Sequence, residues 1–396
     1  MLEQWAFELL KGIGKIFLHP LLYWTFFLLC IIGYKRIKKE RYNFGTKIYH
    51  YFTEIKYTFP LTVIASIVLS AATILFGIVL SYEVMIVLAI VTIVFSLFGS
   101  LQFLSASYTI GMTFILLLVL PFLQRYIDVP YVDFTTISMV HFVGLTLLLA
   151  LLLLFEAIFM TRTKSKPAFP SLHLSERGVW VGQFEAKRMM MVPFFILIPS
   201  DSVTAITPFF PYFSFGDQTF SLILLPFIFG YQYRMQSGLP NELLGKITKR
   251  TYVLVAIVIA GAITSIFYPF VSFITILVAL VGKEWMTYRH KVRDRESSPM
   301  FHPLDKGIKV FAMMPNSPVE RLGIKVGEII LKVNNVNVTN SSEFYEALQT
   351  SQTNFKIDVL DENGEIRFVH GTFFAEDHYE LGLLFTEQPH KYKEKE

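Results

Sequence analysis

The chain has 396 residues, of which 53% are hydrophobic and 17% are charged. Soluble domains carry about 25% charged residues, so this composition excludes a water-soluble protein and indicates a polytopic membrane protein. The net charge of +4 is informative only through its distribution, and the one cysteine, Cys30, excludes an intramolecular disulfide and a cysteine-cluster metal site.

Residues 1–15 predict an amphipathic helix that lies in the membrane interface. Apolar residues recur there at helical spacing, and charged residues take the other faces. The apolar stripe contains Leu2, Trp5, Ala6, Leu9 and Ile13. The same stripe could instead bind a partner protein. The apolar run that follows has no clear cleavage site and ends in a basic cluster, which is typical of a retained anchor.

Residues 16–283 predict a membrane domain of seven to nine crossings. Its first five apolar spans are 16–34, 59–80, 84–103, 106–123 and 136–160. A spanning helix needs about 20 residues. Residues 189–234 hold two further apolar pieces, which could cross the membrane or dip in and return. The 251–282 run is long for one crossing, and Pro269 in it predicts a thin helical hairpin.

Basic residues are concentrated in alternate loops, and this pattern predicts the orientation of the chain. The basic loops are 35–58, 161–188 and 234–250, whereas the 81–83 and 124–135 loops are not basic. We therefore expect the three basic loops to be cytoplasmic and the amino terminus to be outside. A basic linker over 284–300 predicts that the soluble part that follows is also cytoplasmic.

Residues 301–388 have the pattern of a small soluble α/β domain. Residues 307–312 alternate like a strand, and Ser317-Pro318 opens a short helix. Ser341-Ser342-Glu343 is expected to cap a second helix that continues to Leu348. Three further strands are predicted at 355–360, 365–370 and 381–385. Residues 389–396 form a charged tail that we expect to be disordered.

The run from Asn316-Ser317-Pro318 to Gly327-Glu328-Ile329-Ile330 resembles the core of a PDZ domain. Gly323 between them can adopt the left-handed conformation that ends a short helix. The resemblance implies a β-barrel-like sheet with two helices. It also implies that an extended peptide binds as an added strand between a sheet edge and the second helix.

The Gly-Leu-Gly-Phe-like loop of the PDZ family does not occur at its usual place before Gly307. The nearest match is the segment around Gly382, and a permuted strand order would bring it to the groove. Phe344 or Tyr345, with Leu348, would then line the helical wall. The candidate peptide-binding residues are Leu381, Gly382, Leu383, Phe344 and Leu348. They could equally be a closing strand and core residues.

PDZ modules accompany several membrane proteases, but this sequence lacks the motifs of an enzyme. It has no His-Glu-x-x-His helix for zinc, no Gly-x-Ser-x-Gly elbow, and no P-loop or dinucleotide fingerprint. We expect no catalytic residue, metal site or cofactor, and no nucleic-acid partner.

Two acidic residues in apolar surroundings leave a transporter open as an alternative. Glu156 is about one turn from Arg162 and is expected to reach toward it, or else to relay ions. Asp201 lies among prolines in a segment that could line a cavity or form an external turn.

The whole chain resembles the membrane topological determinants of cell division in rod-shaped Gram-positive bacteria. The segments that carry this resemblance are Phe17-Leu18-His19-Pro20-Leu21, Gly307-Ile308-Lys309-Val310, 341–348 and Glu365-Ile366-Arg367-Phe368-Val369. It implies an adaptor that links a DivIVA-like polar scaffold to a MinD-like ATPase with its inhibitor MinC, and that helps disassemble the divisome. It also implies a multi-pass protein of the cell membrane, enriched at the septum and poles. The alternative is a transporter or a protease-regulatory membrane protein with a PDZ domain.

Overall fold

In a computed structural model of the protein, the described residues are 10–124, 126, 134, 139–199, 220–350, 354–372 and 381–393. Residues 10–15 are helical, and a 3₁₀ turn follows at Ile16–Leu18. Residues 1–9, which make up most of the predicted interfacial helix, lie outside the described residues, as does Asp201. The described part divides into an apolar helical domain and a C-terminal α/β domain.

Seven long helices occur in the described part of the apolar domain. They are α1 (Pro20–Phe44), α2 (Thr53–Leu75), α3 (Tyr82–Leu97), α4 (Ala106–Gln124), α5 (Met139–Thr163), α6 (Pro240–Phe267) and α7 (Phe270–Glu296). Six of them are long and apolar enough to cross a membrane, and the apolar α3 is shorter, with 16 residues. Large apolar side chains such as Phe26, Ile67 and Val281 are exposed on their outer faces. A bilayer would cover such a surface.

The 251–282 run forms two helices, as the proline predicted, because α6 ends at Phe267 and α7 begins at Phe270. Most of the expected linker over 284–300 is helical, since α7 continues through the basic residues to Glu296. Arg293 and Arg295 lie in its last turn, where positive charge favours the helix dipole.

The 189–234 segment contains β-strands where we considered membrane helices. Strand β1 (Phe169–Leu174) pairs with β2 (Trp180–Pro199), which pairs with β3 (Phe220–Met235) in a long antiparallel hairpin. Pro193 stands opposite Pro226 in this register. Proline removes a helical hydrogen bond and clashes with the preceding turn, so the five prolines of residues 193–226 disfavour continuous helices here.

Neighbouring helices and turns supply hydrogen-bond partners to the backbone at the edges of this hairpin. The backbone N–H of Phe195 donates to Ser70 Oγ at 3.0 Å, and Thr73 Oγ1 donates to the Phe195 carbonyl. Leu80 donates its N–H to the Leu197 carbonyl at 2.9 Å. On the other side, Gly230 of β3 lies against the 3₁₀ turn that begins at Leu101. Non-helical backbone at membrane depth is tolerated when protein buries it in this way.

Glu156 pairs with Lys283 and not with Arg162, which corrects the sequence-based expectation. Lys283 Nζ lies 2.6 Å from Glu156 Oε1. The second carboxylate oxygen accepts from Ser105 Oγ at 2.7 Å and from the Ala106 N–H at 2.9 Å, at the start of α4. The pair therefore joins α4, α5 and α7 inside the helical domain.

The C-terminal domain is an antiparallel sheet with helices on its faces. Its elements are β4 (Ile308–Met313), α8 (Val319–Leu322), β5 (Ile329–Val333), β6 (Val336–Asn337), α9 (Ser341–Gln349), β7 (Asn354–Leu360), β8 (Ile366–Thr372), β9 (Leu383–Phe385) and α10 (His390–Lys393). The strand order is β8-β7-β5-β4-β9, and β6 pairs with β5. The tail predicted to be disordered is helical over His390–Lys393.

The C-terminal domain packs directly on the helical domain through aromatic residues. Phe301 and Phe311 pack against Phe184 of β2, with ring centroids 5.5 and 4.8 Å away. The N–H of Gly182 donates to the Phe301 carbonyl at 2.8 Å. The Asp294 carboxylate accepts from the N–H groups of residues 236 and 237, which ties the end of α7 to the end of β3.

Candidate peptide-binding groove

A cavity of about 550 Å³ lies between β9 and α9. Its walls come from three parts of the chain: the loop and strand around β9, one face of α9, and the end of α1. The lining includes Asn43, Phe44, Gly45, Thr46, Leu172, Met314, Ser341, Tyr345, Gln349, Gly382, Leu383, Leu384, Phe385, Glu387, Gln388 and His390. The groove is therefore shared between the C-terminal domain and the helical domain.

Strand β9 is an edge strand, and its outer edge faces α9. It pairs with β4 through Phe385 opposite Val310 and Leu383 opposite Met313. No second strand pairs with it among the described residues. The Tyr345 hydroxyl donates to the Leu383 carbonyl at 3.3 Å. An extended peptide that adds to this edge would offer backbone N–H groups to such carbonyls.

Helix α9 presents one face to the cavity because its lining residues follow helical spacing. Ser341, Tyr345 and Gln349 are four residues apart, so their side chains lie along one side of the helix. Phe344, Ala347 and Leu348 point into the core of the domain instead. This face gives the cavity one aromatic and two polar side chains.

The loop before β9 is shaped by a left-handed glycine. Gly382 has φ +77°, and its carbonyl accepts from the Met314 N–H at 2.8 Å. The carbonyl of Leu381 accepts from the Val319 N–H at 3.1 Å. A Cβ added at Gly382 would collide with the Ser317 side chain. The last strand of the C-terminal domain, β9, therefore lies beside the first strand of that domain, β4, as a permuted order requires.

The structure separates the five candidate residues into two groups. Gly382 and Leu383 line the cavity. Leu381, Phe344 and Leu348 are fully buried in the core of the domain and lie outside the cavity lining. These three residues are therefore core residues, which was the alternative to a binding role, since a side chain with no exposed surface cannot contact a ligand. Tyr345, the alternative to Phe344 in the sequence, lies on the helical wall of the cavity.

The sequence reasoning missed Ser341, Gln349 and the residues from α1. Helical spacing from Tyr345 would have found the first two. No local signal points from the end of α1 to the groove, because this contact depends on how the two domains pack. The His390 ring lies against Gly45, so α10 also helps to fix the α1 wall.

The start of α9 is capped by Asn340, whereas the sequence predicts a cap formed by Ser341-Ser342-Glu343. Asn340 Oδ1 accepts from the Glu343 N–H at 2.8 Å, and Glu343 Oε2 accepts from the Thr339 N–H at 2.7 Å. These two bonds form a reciprocal cap. The hydrogen bonds from Thr339 hold the pKa of Glu343 below its ordinary value. Ser341 donates to Glu387, which closes one end of the groove.

The residues in the described ranges include no group of three or more His, Cys, Asp or Glu side chains placed to hold a metal ion. The chemistry of the groove is that of backbone edges, one tyrosine hydroxyl and small polar side chains. Such a set binds an extended peptide by hydrogen bonds and shape.

Comparison with known proteins agrees with this reading of the C-terminal domain. Residues 310–360 match the PDZ domain family. The chain is 31% identical over 389 residues to the cell division topological determinant MinJ of Bacillus subtilis, covering 98% of this chain and 97% of that protein. It is 32% identical over 85 residues to the probable determinant MinJ of Lacticaseibacillus paracasei, covering 21% of this chain and 23% of that one. It is 45% identical over 56 residues to human serine protease HTRA3, covering 14% of this chain and 12% of the protease.

Proposed function

The chain belongs to the MinJ family of cell division topological determinants, and from this premise we propose that it is a membrane-anchored adaptor whose groove binds a peptide segment of a division protein. The observation that carries the proposal is the open edge of β9 beside α9. Peptide addition to a sheet edge needs such an edge and a helix beside it. The groove residues in this proposal are Gly382, Leu383, Ser341, Tyr345 and Gln349.

The adaptor would bridge a DivIVA-like polar scaffold to a MinD-like ATPase with MinC, and would aid divisome disassembly. The presence of two domains supports an adaptor that binds two partners at once. The groove can hold one partner, and the helical domain leaves other surfaces for the second. Its role in division topology follows from the family to which it belongs. Enrichment at the septum and poles would follow from binding the scaffold.

The PDZ domain would lie on the cytoplasmic side. The β2–β3 hairpin returns to the side it left, and so does the α6–α7 pair, so neither changes the side on which the chain continues. The end of α1, strand β1 and the PDZ domain meet in one aromatic cluster that includes Phe44, Phe169 and Phe311. Two basic loops therefore adjoin the PDZ domain, and the third is tied to α7 through Asp294. Basic loops of membrane proteins are predominantly cytoplasmic.

An adaptor without enzymatic activity also agrees with the surroundings of Glu156. Transport through this acid would require an accessible, exchangeable carboxylate. Both of its oxygens are instead engaged, by Lys283 and by the start of α4. The relative matched along the whole length is named a topological determinant.

A groove variant with a matched control tests the proposal. Gln349 is exposed and lines the cavity, so Gln349→Trp should fill the groove without touching the core. Glu346 is exposed on the same helix but outside the lining, so Glu346→Trp is the control. We expect fluorescent fusions of the wild type and the control at septa and poles. The groove variant should stay in the membrane but lose capture of one division partner from detergent extracts.

Two results would contradict the proposal. The first is uniform membrane fluorescence of the wild type in dividing cells. The second is undiminished capture of both partner classes by Gln349→Trp, which would exclude the groove as the binding surface.

A further inference from the structure

A second, smaller cavity lies between α1 and the β1–β2 pair, away from the peptide groove. Its volume is about 90 Å³. A water needs about 10–15 Å³ by the same measure, so the space holds several waters or the four oxygens of a phosphate group. Its lining comprises Lys35, Arg36, Lys39, Glu40, Phe169, Pro170, Ser171, Glu185 and Lys187.

The periodicities of a helix and a strand bring these charges together. Lys35 and Lys39 are one turn apart on α1, so they share a face of the helix. Glu185 and Lys187 are two residues apart on β2, so they share a face of the sheet. Phe169 stands opposite Glu185 in the β1–β2 register and belongs to that same face.

Positive charge is in excess at this cavity. Four cationic side chains and two carboxylates line it, which leaves a surplus of two positive charges. Lys39 pairs with Glu185 at 2.6 Å, and Arg36 lies 3.6 Å from Glu40. These pairs use both carboxylates. Arg36 also lies 3.5 Å from Glu54, a buried carboxylate outside the lining, so the surplus falls to one positive charge when Glu54 is counted. Within the described residues, Lys35 and Lys187 make no ion pair or side-chain hydrogen bond.

Arg36 adds donors that are already removed from water. Its side chain is 7% exposed, and Nη2 donates to the carbonyls of His50 and Tyr51. Its Nε and Nη1 make no hydrogen bond in the described part of the chain. They lie 3.5 Å from Glu54 and 3.6 Å from Glu40, so they form ion pairs that are too long for hydrogen bonds. A buried guanidinium with these donors can still donate to an anion, since unpaired buried polar groups cost free energy.

The cavity lies at the level where apolar surface gives way to charge. Tyr34, the last residue before Lys35, is 61% exposed. Exposed tyrosines are enriched at membrane–water interfaces, and lipid phosphates lie at this depth. Basic pockets beside membrane helices on the cytoplasmic side bind anionic lipid headgroups.

We propose that this cavity binds the phosphate group of an anionic lipid headgroup, with Lys35 and Lys187 as its free cations and Arg36 as a buried donor. A soluble phosphate has the same chemistry, but the position beside Tyr34 favours the lipid. The site lies on different residues from the peptide groove, so it stands or fails independently of the proposed function.

The test uses the full chain in zwitterionic detergent, with short-chain phosphatidylglycerol, short-chain phosphatidylcholine and inorganic phosphate as probes. Binding is followed by the shift in melting temperature and by native mass spectrometry. The variant is Lys35→Ala with Lys187→Ala. The matched control is Lys38→Ala with Arg41→Ala, which removes two exposed charges of α1 outside the cavity.

We expect phosphatidylglycerol to raise the melting temperature of the wild type and the control, and phosphatidylcholine to have no such effect. The cavity variant should bind phosphatidylglycerol about thirtyfold more weakly, given the usual contribution of each basic residue near a membrane. Without anionic lipid it should melt at or above the wild-type temperature, because it has lost two unpaired cations. A purely structural role predicts a lower melting temperature instead.

The single variant Lys35→Ala covers the case in which the double variant fails to fold, because Lys35 is exposed. It should weaken phosphatidylglycerol binding about fivefold. Equal binding by the wild type and the cavity variants would overturn the site. An equal effect of inorganic phosphate at equal concentration would overturn the lipid as its source.

Discussion

Lys283 Nζ lies 2.6 Å from Glu156 Oε1, and the two side chains are 1% and 0% exposed. The ammonium thus joins α7 to α5, and the other carboxylate oxygen receives the first N–H of α4. A buried ion pair costs desolvation free energy and is retained only with good geometry and further hydrogen bonds. Here both oxygens have partners, so the pair fixes how three helices meet.

Glu156→Ala should lower the free energy of unfolding by about 3–5 kcal/mol, because it leaves Lys283 charged and unpaired in the interior. Replacing both residues, Glu156→Leu with Lys283→Met, should restore most of the loss. Unfolding in detergent, followed by intrinsic fluorescence, measures both. Glu176→Ala is the control, since Glu176 forms an exposed pair with Arg295 and should leave stability unchanged. An equal change in the free energy of unfolding for Glu156→Ala and Glu176→Ala would contradict a stabilising role of the Glu156–Lys283 pair.

Gly182→Val should detach the PDZ domain from β2 while both domains stay folded. A Cβ at Gly182 would lie 2.6 Å from the Phe311 ring and 2.8 Å from Phe301 Cβ, where real side chains do not fit. Limited proteolysis should then cut the 297–304 segment several-fold faster than in the wild type. Gly245→Val is the control, because nothing lies within 4 Å of a Cβ there. Unchanged cleavage would show that the docked arrangement does not depend on this contact.

A comparison of Gly382→Ala with Gly364→Ala separates two effects of an added Cβ, the backbone strain at positive φ and the steric clash in the loop before β9. Both glycines have positive φ, +77° and +82°, so alanine at either should cost about 1–2 kcal/mol. Only at Gly382 does the added Cβ also meet the Ser317 side chain. We therefore expect Gly382→Ala to destabilise the PDZ domain further and to reshape the groove. Hydrogen exchange of β4 and β9 amides measures the difference, and equal losses would contradict it.

Acidification should weaken the start of α9 through Glu343. The hydrogen bonds from Thr339 favour its ionised form, so its pKa is lower in the folded than in the unfolded chain. Its stabilising contribution is therefore complete above the unfolded pKa of about 4.3 and is lost as the pH falls below it. Hydrogen exchange of α9 across this range should show the loss, and Glu343→Gln should flatten it. Glu346→Gln, on the same helix, should keep the wild-type profile.

The PDZ domain was predictable from local sequence, and the match of residues 310–360 to that family confirms it. Turn and cap chemistry at Pro318, Gly323 and Gly327 acts over a few residues, so the sequence reveals it directly. The split of α6 from α7 was likewise visible, because Pro269 disfavours helix in the residue before it.

The β2–β3 hairpin was harder to predict because a long apolar run has the composition of a membrane helix. Periodicity cannot separate the two when both faces of a strand are buried. The opposed prolines, Pro193 and Pro226, were the available signal. The partner of Glu156 was unpredictable for another reason, because Lys283 is 127 residues away and meets it only through packing.

Asp294 fixes the end of α7, and Gly182 binds the Phe301 carbonyl, so the short segment that leads into the PDZ domain is held at both ends. The groove beside the end of α1 is therefore held at one height above the lipid surface. Under the proposed function, a partner's peptide segment must reach that height, so the density of the partner on the same membrane would affect binding more than its concentration in the cytosol. The proposed adaptor would therefore select its partners by their location on the membrane as well as by their residue sequence.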